Sequence, residues 1–240
     1  MIQYFAPDIT ETLTLPEDEA RHCLRVCRTP VGGTATVTDG HGGRHVVRLL
    51  SDDPRHASVE IISSETTGRQ WHTHITVGVA PTKNIDRIEW LLEKLTEVGV
   101  DRFTPLLCDH SERKVVKTDR LERIAVSAMK QSLKTTLPVI DNLTPIDSFI
   151  RDTASASQRF IAYCDETVPR HLLARVFRPG IPDAVVLIGP EGDFSPHEVK
   201  AALDAGFIPV SLGPCRLRTE TAALSAVETI HILNLSNNDD

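Results

Sequence analysis

No apolar run in this sequence approaches the roughly 18 consecutive residues of a membrane span. The opening residues, Met1-Ile2-Gln3-Tyr4, carry no basic segment of the kind that begins a secretory leader. A soluble, cytoplasmic protein with no membrane partner is expected. Cysteine is sparse and odd in number (Cys23, Cys27, Cys108, Cys164 and Cys215), with no Cys-x-x-Cys, which argues against a disulfide framework or a zinc site and favours small core residues. Histidines do not fill that gap. His72 and His74 share a strand face and His41 and His45 a hairpin, but neither pair has acids or cysteines at ligand spacing, so no metal is expected and surface positions are. Positive charge is short too: a net charge of -7 excludes a protein that grips nucleic acid over its whole surface, so any RNA site must be a local patch. The phosphate-binding signatures G-x-x-x-x-G-K-[ST] and G-x-G-x-x-G with a later ribose-binding acid are both missing, which leaves a P-loop or dinucleotide fold unsupported. Ser195 has only His197 nearby, and a helical turn directs that ring away, so a nucleophilic serine is not expected. There is no internal repeat and no low-complexity tract.

What is present is 240 residues, 40% of them hydrophobic and 25% charged, enough for one large or two modest cores. Residues 2–70 read as a small β-rich unit with one helix. Pro16 and the acids Glu17, Asp18 and Glu19 start that helix and Arg28 closes it before Gly32-Gly33. Arg21, Arg25 and Arg28 fall at i, i+4 and i+7 and so share a face. Strands over 34–38 and 44–50 flank Asp39-Gly40-His41-Gly42-Gly43, a connection rich in residues that tolerate positive φ, and 57–63 reads as a further strand. The polar run 64–70 reads as a linker, which divides the chain into domains 1–70 and 71–240.

The second part alternates strand and helix, the pattern of an α/β domain with a mostly parallel sheet. A strand over 71–79 and the loop Pro81-Thr82-Lys83-Asn84 precede a helix whose buried stripe is Ile85, Ile88, Leu91, Leu92, Leu95 and Val98, stopped at Gly99. A strand over 100–107 leads to residues 111–134, where seven Lys and Arg stand against three Asp and Glu. There Thr118-Asp119 caps a helix with Leu121, Ile124, Ala125, Ala128 and Leu133 on one side and Arg120, Arg123, Lys130 and Lys134 on the other. An ordinary amphipathic surface helix and an RNA patch both remain open. A short helix over 145–153, a strand over 160–164 and a helix over 169–177 complete the approach to the C-terminal region.

That region carries the chemistry. Two short apolar runs, 184–187 and 207–212, have the length of strands buried on both faces of a parallel sheet, and each is followed by a glycine loop. Such loops at strand C-terminal ends are where open α/β sheets bind ligands. Gly189, Gly192 and Gly213 would let a flat ligand approach the backbone. Between the loops, Ser195, Pro196 and Glu198 form a capping box and Gly206 a stop signal, while Thr219 opens a last helix with Leu224, Val227, Ile230 and Leu235 as its stripe.

The runs Gly189-Pro190-Glu191-Gly192-Asp193-Phe194-Ser195 and Leu212-Gly213, then Leu217-Arg218-Thr219-Glu220-Thr221-Ala222, closely resemble the two cofactor loops of SPOUT RNA methyltransferases, specifically the ribosomal RNA small subunit methyltransferase E family. Lys83, Glu97-Val98-Gly99-Val100, Ser111-Glu112-Arg113 and Gln131-Ser132 with Leu137-Pro138 echo further signatures of that family, and residues 22–28 loosely match its N-terminal helix. Cys215-Arg216, Ser127 and Lys134 depart from its pattern. The resemblance implies a C-terminal trefoil knot, a PUA-like RNA-binding β-barrel over 1–70, S-adenosylmethionine as cofactor, a homodimer, and methylation of uridine N3 in small-subunit ribosomal RNA. It implies cofactor contacts from Leu187, Ile188, Gly189, Pro190, Gly192, Ser211, Leu212, Gly213, Leu217 and Thr219. RNA contacts are implied for Arg21, Arg25, Arg28, Lys83, Arg113, Lys114, Gln131 and Lys134. For the chemistry, Arg218 would stabilise charge on the uracil carbonyls, and Glu220 is either the proton acceptor or a first-turn acid favoured by the helix dipole. The same fold acting on another RNA base or a ribose 2'-hydroxyl, and a non-catalytic RNA-binding protein, are the alternatives.

Overall fold

The computed structural model describes residues 2–164 and 169–236. They pack as two compact units, Met1–Gln70 with Ala125–Leu137, and Trp71–Ile124 with Pro138–Asp240.

The first unit is built on a four-stranded sheet of β1 (Gln3–Phe5), β2 (Thr34–Thr38), β3 (Gly43–Leu49) and β4 (Val59–Thr66), in that order. β1 pairs parallel to β2 and the other pairs are antiparallel. Alternation places Ala35, Val37, Val47, Leu49 and Val59 on one face, where they bury against Ile9 of α1 (Ile9–Thr12) and Ala20 of α2 (Glu17–Arg21). Ser64–Thr66 extend β4 by pairing with Gly43–His45, so the expected linker is shorter than its polarity suggests.

Three expectations for this unit need correction. After Arg21 the helix widens into a π-helical stretch, His22–Val26, and Arg28 lies beyond it in the left-handed region at φ 54°, so the three arginines do not form one helical row. His45 is buried rather than on the surface, its Nδ1 2.8 Å from Ser64 Oγ. Finally, residues 125–137 join this unit instead of the second. Gly42 N donates to Thr135 O, Leu137 N to Gly40 O and Gln3 Nε2 to Lys134 O, docking the segment on the hairpin by its main chain.

The second unit is centred on a parallel sheet in the order β10 (His171–Leu172), β12 (Ile208–Ser211), β9 (Gln158–Ala162), β11 (Asp183–Ile188), β5 (His74–Val79), β6 (Arg102–Leu107) and β7 (Val139–Ile140), with β8 (Thr144–Pro145) also on β6. The central strands are buried almost throughout, which is why their sequences are apolar runs without alternation. Helices α3 (Ile85–Val98), α5 (Ile146–Asp152), α6 (Leu173–Val176), α7 (Pro196–Asp204) and α8 (Thr219–Ser236) connect or cover them, and α4 (Thr118–Gln131) begins here. The helix expected over 169–177 is β10 followed by the single turn α6, and its approach at 165–168 lies outside the described residues.

Two helix-boundary signals act as expected for physical reasons. Gly99 ends α3 at φ 115°, and a Cβ there would lie 2.7 Å from the Trp71 ring, so both conformation and space require glycine. Ser195 Oγ accepts from Glu198 N at 3.3 Å while Glu198 Oε2 accepts from Ser195 N at 2.7 Å, completing the capping box of α7. On α8, however, the buried row is Ala223, Ala226, Val227, Ile230 and Asn234, whereas Leu235 is 64% exposed. Small side chains let that helix approach its neighbours closely, and Asn234 enters the core because its amide donates to Thr73 Oγ1 and accepts from Gly180 N.

Candidate active site

Four parallel strands end level with one another. Ile188 of β11 is in register with Val79 of β5 and with Ala162 of β9, and Val210 of β12 pairs with Ala162 on its other side. Their C-terminal loops therefore meet at one edge of the sheet, where they enclose an open cavity of about 250 Å³.

The first loop is tied down at nearly every residue. Ala80 N donates to Ile188 O, and Asp193 closes a tight turn by donating its amide to Pro190 O at 2.9 Å. Its carboxylate accepts from Cys164 N at 2.7 Å and Phe194 N at 2.8 Å, which offsets the left-handed backbone of Asp193 at φ 62°. Glu191 Oε1 accepts from Lys83 N at 3.3 Å, joining this loop to the one after β5. Ser195 Oγ donates to Asp109 Oδ2 at 2.6 Å, and Glu198 Oε1 accepts from Asp109 N at 2.8 Å, joining it to the loop after β6. Burial pushes the neighbouring Cys108 thiol well up from its ordinary value, so it stays protonated and inert.

The second loop is open. Residues 213–217 make no main-chain hydrogen bond among the described residues. Gly213 sits at φ 135° with empty space where a Cβ would be. Thr219 anchors the end of the loop by donating from Oγ1 to Gly189 O at 3.1 Å, which ties the two loops together. One residue on, Glu220 is 7% exposed, and its Oε2 is buried without a hydrogen-bond partner among the described residues.

Of the residues expected at the cofactor site, Ile188, Gly189, Pro190, Ser211, Leu212, Gly213, Leu217 and Thr219 line this cavity, as do Arg218 and Glu220. Leu187 and Gly192 do not. Leu187 points into the core with no exposure, and Gly192 faces His110, which a Cβ would approach to 3.1 Å. The glycine at 189 also serves packing rather than ligand access, its Cβ position being 3.2 Å from the Phe194 ring. Only Gly213 has the open approach foreseen for all three. Of the cysteines, expected mostly in the core, Cys23 and Cys108 are buried, whereas Cys164 and Cys215 are exposed at the cavity.

The sequence pattern gave no hint of Arg87, Tyr163 or Arg170 at this cavity. Tyr163 follows β9, and the only available signal was that a strand between β11 and β12 must end beside both loops. Arg170 reaches in to donate from Nη1 to Tyr163 O at 2.8 Å.

The expected RNA contacts are scattered in character. In the second unit, Lys83 and Lys114 are exposed, but Lys83 is paired with Glu112 at 3.2 Å and Arg113 is spent on the carbonyls of Thr82 and Lys83, at 3.2 and 2.6 Å. In the first, Arg25, Arg28 and Gln131 are exposed, and Arg21 is paired with Glu17 at 2.5 Å. Lys134 is 9% exposed, because the helix stops at Gln131 and Leu133 turns the chain inward at φ 56°. Lys130 is paired with Glu19. No cluster of three metal-ligating side chains exists among the described residues.

A parallel sheet with paired loops, one rigid and one with free main-chain groups, defines an α/β protein that binds its ligand at the strand C-terminal edge. A family model described as an RNA methyltransferase domain matches residues 69–231. A solved structure described as a probable rRNA-methyltransferase from Porphyromonas gingivalis is 47% identical, covering 99% of this chain and 100% of its own, with a TM-score of 0.93. A ribosomal RNA small subunit methyltransferase E from Neisseria gonorrhoeae, solved bound to S-adenosyl methionine, is 28% identical over 97% of this chain and 98% of its own, with a TM-score of 0.83. The protein of that name from Synechocystis is 28% identical over 94% of this chain and 74% of its own length. The chain belongs to the ribosomal RNA small subunit methyltransferase E family of RNA methyltransferases.

Proposed function

We propose that the cavity holds S-adenosylmethionine and that the protein methylates N3 of a uridine in small-subunit ribosomal RNA. The observation that carries this reading is the open loop: main-chain groups over 213–217 with no bond among the described residues, and an unobstructed Gly213. This donor set fits a cofactor with an adenine edge and an amino-acid tail, both of which hydrogen-bond to main chain. When bound, S-adenosylmethionine supplies an electrophilic methyl group on a sulfonium. Leu212, Gly213 and Leu217 hold the cofactor against the wall formed by Ile188, Gly189 and Pro190, and the Thr219–Gly189 bond keeps that wall and the open loop at a constant separation. Arg218 is exposed at the mouth, where it stabilises negative charge developing on the uracil carbonyls. Glu220 accepts the imide proton. Positioning of this kind lowers barriers by about 7–11 kcal/mol in good intramolecular systems, so a weak base suffices.

The wider reading follows the family. β11 and β12 lie on opposite sides of β9, and the segment between them is the stretch we propose to be threaded as a trefoil knot. Ile232 and Leu235, 57% and 64% exposed on α8, offer an apolar surface for a second copy in a homodimer. The first unit is proposed as a PUA-like RNA-binding domain, with Arg25 and Gln131 free for phosphate, while Lys83 and Lys114 serve the second unit. A cytoplasmic location fits the absence, among the described residues, of any helix long and apolar enough to cross a membrane.

Calorimetric titration with S-adenosylmethionine, S-adenosylhomocysteine and NAD tests the cofactor. Saturable binding of the first two and none of the third is expected, followed by transfer of a labelled methyl group to small-subunit ribosomal RNA and mapping of the modified nucleoside. A product methylated on a ribose or another base would replace the N3 assignment. No cofactor binding, with or without RNA, would overturn the methyltransferase reading.

A further inference from the structure

Among the described residues, the arginines lining the cavity are Arg87, Arg170, Arg216 and Arg218, and they divide by what already holds them. Arg170 donates to Tyr163 O at 2.8 Å, and Arg87 Nε lies 3.9 Å from Glu220 Oε1. Arg216 and Arg218 are exposed, and their guanidinium groups have neither a hydrogen bond nor an ion pair among the described residues.

The acids at the same cavity are occupied elsewhere. Glu191 Oε1 accepts from Lys83 N, the Asp193 carboxylate accepts from Cys164 N and Phe194 N, and Glu220 faces Arg87. In a chain of net charge -7, two uncompensated guanidinium groups at the mouth of one cavity mark a place for an anionic ligand. Arg218 already has a part in the reading above. Arg216 has none. It stands on the loop 213–217, whose main chain makes no hydrogen bond among the described residues, and at a position where the chain departs from the family pattern.

Placement decides which anion it takes. The cofactor's tail is held by main chain against the inner wall, whereas Arg216 is exposed and so meets the ligand that arrives from solvent. Two residues of chain span at most about 7 Å, so an RNA strand whose base meets Arg218 passes its sugar-phosphate within reach of the Arg216 side chain.

We infer that Arg216 is a positioning residue that grips a phosphate of the substrate RNA beside the methylated uridine. The planar guanidinium matches two phosphate oxygens at once, so the contact fixes the direction of the strand as well as adding attraction. It reads no base. This inference rests on the methyltransferase reading and adds to it a residue that sets where the strand lies at the cavity mouth.

The test compares wild type with Arg216→Ala and Arg216→Lys, and uses as control Arg175→Ala, an exposed arginine that does not line the cavity. Binding of small-subunit ribosomal RNA is measured without cofactor at several salt concentrations, cofactor affinity by calorimetry, and methyl transfer in single turnover over a range of RNA concentrations. Arg216 has no partner to lose, so the variants should fold as wild type does. In Arg216→Ala, RNA binding should weaken about tenfold, and the slope of log affinity against log salt should become shallower by about 0.7–0.9. The half-saturating RNA concentration should rise by the same factor, with the rate at saturating RNA within about twofold and cofactor affinity within about threefold of wild type. Arg216→Lys should keep the wild-type slope, because the charge remains, and recover only part of the affinity, because the two-pronged grip is gone. An equal loss in Arg175→Ala would make the effect one of net charge and overturn the site. An active wild type whose RNA affinity and salt slope are unchanged in Arg216→Ala overturns the role of Arg216 alone. So does a fall in cofactor affinity with RNA affinity unchanged, which would give the guanidinium to the cofactor's carboxylate. A wild type that neither binds the cofactor nor transfers a methyl group overturns the function and this inference with it.

Discussion

The loops that follow β11 and β12 flank the same strand end, yet they are built in opposite ways. The first is closed on itself: Asp193 spends both carboxylate oxygens on amides, Gly189 packs on Phe194, and Ser195 and Glu198 tie the next helix to Asp109. The second has no main-chain bond over 213–217 among the described residues and a glycine with space around it. The difference teaches that glycine in a ligand loop has two separate uses. Glycines 189 and 192 allow the loop to pack against a ring, and Gly213 keeps main chain accessible.

This contrast is open to direct attack. The largest effect should come from Gly213→Trp, which fills the open approach and strains a backbone at φ 135°. Cofactor binding should weaken by more than about a hundredfold while the cooperative melt is retained; binding within tenfold of wild type would move the ligand away from this loop. Next is Glu198→Ala, which leaves the Ser195 and Asp109 amides without their acceptor and removes half of the capping box. A loss of about 1–3 kcal/mol in urea unfolding is expected, and a loss below about 0.5 kcal/mol would show that the closed loop is not held by this network. Gly189→Ala should cost about 1 kcal/mol, because the Phe194 ring must give way by a few tenths of an ångström. Its effect on cofactor affinity should be smaller than that of Gly213→Trp, and the reverse order would erase the distinction between the loops. Smallest is Cys215→Ser, at an exposed position, with stability expected within about 0.5 kcal/mol of wild type. In the wild type, bound cofactor should slow alkylation of Cys215 and Cys164, whereas the Cys108 thiol, kept protonated by burial, should react only on unfolding.

Features with a local cause were legible in the sequence. The capping box at Ser195 needs three residues of chain, and the stop at Gly99 needs one backbone angle. The parallel sheet was legible because strands buried on both faces must be continuous apolar runs. Legibility failed where the partner was distant. Ser64–Thr66 are polar and yet form strand, because Gly43–His45 lie opposite them. Lys134 was assigned to an exposed helical face, but the helix ends three residues earlier and the hairpin captures the following chain. Periodicity places Leu235 in a buried stripe with Val227 and Ile230, and these two are buried, but α8 completes its buried row with Ala223, Ala226 and Asn234 and leaves Leu235 exposed.

By itself, then, the sequence determined the longer strands and helices, the two loops and their placement at strand ends, since these follow from periodicity, caps and backbone preferences within a few residues, whereas short strands such as β7, β8 and β10 left no such signal. Only the tertiary structure decided which glycine is open, which arginines are already engaged, and that Arg87 faces Glu220 across 133 residues of chain. The reason is physical. Local rules set a residue's conformation, but accessibility and charge pairing depend on what packing brings alongside it.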